Sequence, residues 1–259
     1  PLATLWAETL LEEEVKLMER AAAVSHSIIA DMFSNAVATP GVTTTDDLRY
    51  YYWQQVAHLG LKISFMPSVS IRGRSPENRE KYGKDDRVVR PGDILHCDVG
   101  LKYMRYISDH QEMAYVLRPG EPDVPETFQK HMAEANRLQD VFCAEFKTGL
   151  TGNELLGNML RKARESGIPN PRIYSHSLGY FLHEPGPLIG LPWEQVNNPG
   201  RGDVKLVPMS CFTAELSITM PVPEWGGQDF RLPLEQDVVF LGERTVFLDG
   251  RQTRFHLIK

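Results

Sequence analysis

The chain has 259 residues, 42% of them hydrophobic and 24% charged, with a formal net charge of −6. That balance fits one large or two small soluble globular domains, and it excludes a disordered chain and a whole-chain basic footprint for nucleic acid. No apolar run approaches the roughly 20 residues needed to cross a bilayer, and no basic start followed by an apolar stretch marks a signal peptide.

The opening segment reads as helical. Leu5, Trp6, Leu10, Leu11, Val15 and Met18, then Ile28, Ile29, Met32 and Phe33, recur at helical spacing, with Glu12, Glu13 and Glu14 on a solvated face. Pro40-Gly41 breaks the pattern, and Thr43 to Thr45 are placed to cap a second helix through Asp46 and Leu48 to His58, which Gly60 stops. Strands are expected at Ile63–Phe65, Ser68–Ile71, Ile94–Val99 and Tyr106–Leu117. The same grammar then returns. A helix over about 126–146 meets Thr148-Gly149-Leu150-Thr151, a second runs over about 153–165 to Gly167, and strands follow at Arg172–His176, Cys211–Leu216 and Leu232–Leu241. Two such halves, about 1–120 and 121–259, bury their apolar sides best against each other. The expected fold class is therefore α+β, one pseudo-twofold domain over 1–259. Cys97, Cys143 and Cys211 are too sparse for a disulfide scaffold or a cysteine zinc site, so free thiols in a reducing cytoplasm are expected.

Four acidic residues lie within otherwise apolar strands: Asp98, Asp109, Glu215 and Glu235. The repeat is expected to set Asp98 against Glu215 and Asp109 against Glu235. Burying one unpaired carboxylate costs several kcal/mol, and burying four together would be prohibitive without cations. Oxygen-rich ligands with one imidazole suit hard or borderline divalent ions, and several carboxylates permit two metals about 3.5–4 Å apart. The imidazole candidates are His176 and His183, set among Gly and Pro that break regular structure. His96 shares a strand face with Asp98, as a contact behind the ligands or a packed polar group, whereas Cys97 points to the core.

The stretch Gly92-Asp93-Ile94-Leu95-His96-Cys97-Asp98, followed by Gly100, Tyr103, Tyr106 and Asp109, resembles the pita-bread metallopeptidases. That family holds methionine aminopeptidases, Xaa-Pro aminopeptidases, prolidases and metal-free creatinase relatives. The Asp98–Asp109 interval is similar to the family's paired Asp ligands, and His176 with Leu178-Gly179 resembles its His ligand. His183-Glu184-Pro185 resembles its second histidine motif, and Glu215 and Glu235 stand where its two Glu ligands belong.

The resemblance implies a pseudo-twofold curved antiparallel sheet with helices outside. It further implies a two-metal hydrolase closest to the Xaa-Pro branch, with Mn2+ favoured and Fe2+, Co2+ or Zn2+ as alternatives. Asp98, Asp109, His176, Glu215 and Glu235 would hold the metals, and a water activated between them would attack an amide. Glu215 would carry the proton, His183 would stabilise the oxyanion, and His183 with Glu184 would bind substrate. A cytoplasmic homodimer acting on a peptide or small molecule is expected, with no nucleic-acid or membrane partner. Because the chain opens at Pro1 and not Met, an N-terminal domain is expected ahead of it.

Four positions depart from the pattern. His110-Gln111-Glu112 replaces x-Thr-Arg, Arg105 replaces a Gly, Ser75-Pro76-Glu77-Asn78 stands where an upstream His belongs, and Arg231 is displaced from its place before Glu235. These keep two alternatives open: a metal-dependent hydrolase or lyase of a small non-peptide substrate, and a non-catalytic binding module.

Overall fold

The computed structural model describes residues 2–259. The opening segment is two helices, not one: α1 (Leu2–Glu8) and α2 (Glu12–Met32). Leu5, Trp6 and Leu11 are exposed, so the apolar stripe that matters begins at Leu10 and Val15, both buried. Next come α3 (Thr45–His58), β1 (Lys62–Ile63), β2 (Ser68–Gly73), α4 (Pro76–Tyr82), β3 (Ile94–Val99), β4 (Leu101–Tyr103), β5 (Tyr106–Ile107) and β6 (His110–Val116). The second half supplies α5 (Glu126–Ala144), α6 (Gly152–Glu165), β7 (Arg172–Tyr174), β8 (Ser177–Leu178), β9 (Ser210–Thr213), β10 (Glu215–Val222), β11 (Gln228–Leu234) and β12 (Asp237–Phe240). Two further strands, β13 (Thr245–Phe247) and β14 (His256–Ile258), come last. No helix among the described residues is long and apolar enough to cross a membrane.

The repeat is visible in the backbone itself. Thr44 caps α3 by accepting the Asp47 N–H, and Thr151 caps α6 by accepting the Glu154 N–H. Gly41 and Gly149 both sit at positive φ, +84° and +86°, as do Gly60 and Gly167 at +71° and +70°. The strands repeat too. The order β1-β4-β5 matches β7-β10-β11, and β2-β3-β6 matches β8-β9-β12, with β14 added parallel to β6 and β13 antiparallel to β12. The two sheet systems meet at an isolated bridge between Gln111 and Glu235, closed by two backbone hydrogen bonds of 3.1 Å.

Register corrects one expectation. The ladders end on matching rungs, Val99–His110 in the first half and Thr213–Asp237 in the second. Counted from those rungs, Leu101 and Ser108 are the counterparts of Glu215 and Glu235, and Asp98 falls opposite Phe212. The acidic residues are therefore not equivalent under the repeat. A single site on the dyad takes different steps of the two halves.

The long strands expected at Tyr106–Leu117, Cys211–Leu216 and Leu232–Leu241 are each interrupted, at Ser108–Asp109, at Ala214 and at Glu235–Gln236. At these breaks the chain leaves one sheet for the next, as at the corner of a packed pair of sheets. Helices cover the outer faces. Ile29, Leu48 and Tyr52 of α2 and α3 pack on Leu95 and Cys97, and Leu138, Phe142 and Leu155 of α5 and α6 pack on Phe212 and Leu216. All three cysteines are unpaired, with Cys97 and Cys211 buried.

Gly100 makes the turn between β3 and β4, and a Cβ there would lie 2.0 Å from the Ser108 carbonyl oxygen. Gly100→Ala is expected to lower unfolding free energy by more than about 2 kcal/mol, because the obstacle is backbone. Gly157 on α6 faces open space, with nothing within 4 Å of where a methyl would stand. Gly157→Ala should instead stabilise by about 0.4–1 kcal/mol. Urea midpoints of the two variants check both signs.

Candidate metal centre

Five side chains singled out in the sequence converge where the two halves meet. Asp98 lies on β3, Asp109 in the step between β5 and β6, and His176 in the step between β7 and β8. Glu215 opens β10, and Glu235 sits between β11 and β12. One ligating atom from each of Asp109, His176 and Glu235 lies within 4.8 Å of the others, and all three residues are buried. The His176 Nε2 stands 3.7 Å from Asp109 Oδ2. Glu215 joins through Gln111, whose Nε2 donates to Glu215 Oε1 at 3.1 Å and also to Glu235 Oε2. Asp98 pairs with Gln111 across the β3–β6 ladder.

The electrostatics are those of an uncompensated anionic site. Burial pushes the Asp98 carboxyl up to about 6. Burial and the Asp98 charge push Glu215 up to about 7, against the hydrogen bond from Gln111. Asp109 is raised well above the carboxylate range by burial, then by Asp98, Asp237 and Glu215. Glu235 is raised likewise by burial, then by Asp109, Glu215 and Asp98. Asp109 Oδ1 and Glu235 Oε1 are buried with no hydrogen-bond partner. Orphaned carboxylate oxygens inside a protein cost free energy unless a cation or proton meets them. His176 is the complement: burial, then His183, lowers its pKa to about 3, which leaves the imidazole neutral with a lone pair to give. Four carboxylates and one neutral imidazole fit hard or borderline divalent cations.

The surroundings sort the remaining candidates. His96 Nε2 meets Gln111 Oε1 at 2.9 Å, so it acts behind the carboxylates through that amide. His183 is exposed at the rim, its ring 4.3 Å from that of His176. Glu184, expected at the substrate, is 1% exposed, and its Oε1 accepts the Phe181 N–H. That bond props the turn that carries His183. Sequence reasoning missed two supports. Asp237 accepts the backbone N–H of Asp109 at 3.2 Å and so fixes that carboxylate's backbone. Gln111 was visible only as a departure from a pattern, with nothing in its identity to show that it ties two acidic residues together. The signal for Asp237 was its alternation with Glu235. The short helix α4, capped by Ser75, occupies the stretch where the resemblance places an upstream histidine.

The model for metallopeptidase family M24 matches residues 16–239. The chain belongs to that family. An uncharacterised peptidase of Bacillus subtilis, YqhT, is 26% identical over 243 residues, covering 90% of this chain and 60% of its own length. A Mycoplasma pneumoniae protein assigned provisionally as a Xaa-Pro aminopeptidase is 25% identical over 248 residues, covering 94% and 63%. The chain thus spans less than two thirds of the curated relatives it matches. The crystal structure of an X-Pro aminopeptidase from Thermotoga maritima superposes with a TM-score of 0.74 at 21% identity, covering 99% of this chain and 66% of that one. The fold is the α+β pita-bread fold of M24.

The carboxylate cluster predicts a pH dependence for the M24 chain without metal. Asp98 and Glu215 have folded pKa values of about 6 and about 7, above their ordinary 3.8 and 4.5. Their bound protons stabilise the fold fully below about pH 4, and that contribution is lost as pH rises through about 6–7. Melting temperature after chelation is expected to fall between about pH 5 and pH 8, and saturating Mn2+ should flatten or reverse the fall. A level profile in chelator would show that these carboxylates are solvated.

Proposed function

We propose that this chain is the catalytic part of a two-metal peptidase that cleaves the bond before proline in short peptides. The observation that carries the reading is the cluster of Asp109, His176 and Glu235, with two buried carboxylate oxygens that nothing in the protein satisfies. The M24 family match supports metal-dependent peptide hydrolysis, and the Xaa-Pro names of two relatives support the substrate class.

Asp98, Asp109, His176, Glu215 and Glu235 would hold two divalent cations, with Mn2+ favoured by the oxygen-rich set. Such ions supply Lewis acidity and a nucleophile from water at neutral pH. The chain's own groups do the rest. Glu215, held by the Gln111 amide at the mouth of β10, takes a proton and returns it to the leaving amine. His183, at the exposed rim, donates to the oxygen of the attacked carbonyl as charge develops there. Gln111 and Asp237 keep the carboxylates in place.

A second reading keeps the metals and changes the substrate to a small non-peptide molecule. It is favoured by Gln111 standing between Glu215 and Glu235, where the family pattern has Thr, and by α4 in place of an upstream histidine.

The histidines separate ligand from catalyst. His176→Ala and Asp109→Asn are expected to cut bound metal to well under one ion per chain by elemental analysis. His183→Ala should keep its metal and melting temperature yet lose about 10²–10³ in turnover. Equal metal loss in both histidine variants would sink the division of roles. A panel of Xaa-Pro, Met-Xaa and unrelated dipeptides decides between the two substrate readings: wild-type protein loaded with Mn2+ that cleaves none of them favours the second.

A further inference from the structure

Helix α1 inverts the usual order of burial. Its Leu2, Leu5 and Trp6 are exposed, whereas the one residue it buries is its one carboxylate, Glu8. Glu8 is 3% exposed, and neither of its carboxylate oxygens has a hydrogen-bond partner. Against it lies the turn that carries His183. A Cβ at Gly186 would stand 2.9 Å from Glu8 Oε1 and 2.5 Å from Ser177 Oγ, so only glycine lets the carboxyl come this close to the backbone. The same turn supplies Glu184, also buried, whose Oε2 is a third oxygen without a partner.

The rest of Glu184 is fixed. Its N–H donates to the Ser177 carbonyl at 2.8 Å, its carbonyl accepts from Arg201 Nη2, and its Oε1 accepts the Phe181 N–H at 2.9 Å. Burial raises the Glu184 carboxyl against that last bond, and burial, then the Glu184 charge, push Glu8 up to about 7. Few charged groups surround the pair. Arg201 gives its guanidinium to the Glu184 carbonyl, with Nε buried and unpartnered. His183 adjoins Glu184 in the chain, and Tyr180, with Tyr106, donates to Glu14 of α2. Leu10, Leu178 and Met209 make the neighbouring wall apolar. Three orphaned oxygens in such a place call for a cation or a proton. Calcium or magnesium takes six or more oxygens, and two carboxylates with the Ser177 hydroxyl, which already accepts the Gly186 N–H, do not supply them. A proton suffices, because it leaves the pair with a single charge.

We infer that Glu8 and Glu184 form a proton-holding carboxyl pair, a latch that fastens α1 to the turn over 177–187 and so positions the His183 imidazole. The inference rests on the peptidase reading for what His183 does. Both are positioning residues that act through His183. With Glu8 neutral the turn is held. When Glu8 ionises, two like charges meet in a buried contact, and helix and turn part. The Glu8 carboxyl lies above its ordinary 4.5, so its proton stabilises the closed turn fully below about pH 4.5, and that contribution is lost as pH rises through about 7.

Amide hydrogen exchange over 177–187 in the Mn2+-loaded chain reads the latch without any substrate. After correction for the intrinsic pH dependence of exchange, opening of the turn is expected to rise about tenfold from pH 6 to pH 8, the factor for a carboxyl that titrates near 7. Glu8→Gln, which stays neutral, should hold the turn closed across that range, and its melting temperature relative to wild type should climb over the same interval. Glu184→Gln should weaken the pH dependence from the other side of the pair. Glu8→Ala should open the turn at every pH. On an Xaa-Pro peptide that the wild type cleaves, Glu8→Ala should lower kcat about tenfold with KM and bound metal unchanged, a smaller loss than removing His183 itself. Wild-type kcat should fall relative to Glu8→Gln as pH passes above about 7.

A turn whose opening ignores pH in the wild type, or a pH dependence that survives both glutamine variants, overturns the latch and leaves the peptidase reading standing. A titrating turn with wild-type kcat in Glu8→Ala overturns the positioning of His183. A turn that titrates as expected in a chain that cleaves no peptide does the reverse: it supports the carboxyl pair and sinks the peptidase reading.

Discussion

The structure turns on four carboxylates placed too close together to be ionised at once without help. After burial, the Asp98 and Glu215 charges raise the proton affinity of Asp109 and Glu235, and one oxygen of each of these two finds no partner. A site of this kind is costly to fold and favourable to load, because the free energy lost in assembling it returns when cations arrive. Its supports follow from that cost. Gln111 offers one amide to two carboxylates, His96 orients the amide from behind, and Asp237 grips the Asp109 backbone. Removing any one of these groups would leave a like-charge pair less restrained.

The repeat explains how one chain reaches such a point. Two copies of a helix–helix–strand unit bring their sheets edge to edge at the Gln111–Glu235 bridge. Neither half holds the site alone: Asp98 and Asp109 come from the first, and His176, Glu215 and Glu235 from the second. The halves share a backbone plan but not a residue plan. Where the second half has Glu215 and Glu235, the first has Leu101 and Ser108, and Leu101 is fully buried. Symmetry thus supplies the scaffold, and departures from symmetry supply the chemistry.

Much of this was legible in the residues. Helix pairs, their threonine caps and glycine stops were written as local signals, which depend on neighbours only a few positions away. The acidic residues stood out because burial in an apolar strand is expensive wherever the strand lies. Registers were not legible, since the shift of Asp98 away from equivalence with Glu215 arises from connections whose lengths differ between halves. Nor was the role of Glu184 visible. Its carboxylate faces inward beside Glu8, whose own carboxyl burial and Glu184 raise to about 7, and no local pattern reports which way a loop side chain turns.

The parallel pairing of β14 with β6 has a consequence for how the molecule comes into being. Leu117 N–H reaches the Ile258 carbonyl, and the Asn35 side chain bonds the backbone of Lys259. The sheet begun by residues 68–116 is therefore finished by residues 256–258. During synthesis the first half emerges from the ribosome long before β14 exists, and β6 waits with an open edge. Open edges invite pairing with other chains, and closure over so long an interval is slow. The growing chain thus passes through a stage with one seam unsewn, and the arrival of three residues far downstream decides when that vulnerability ends.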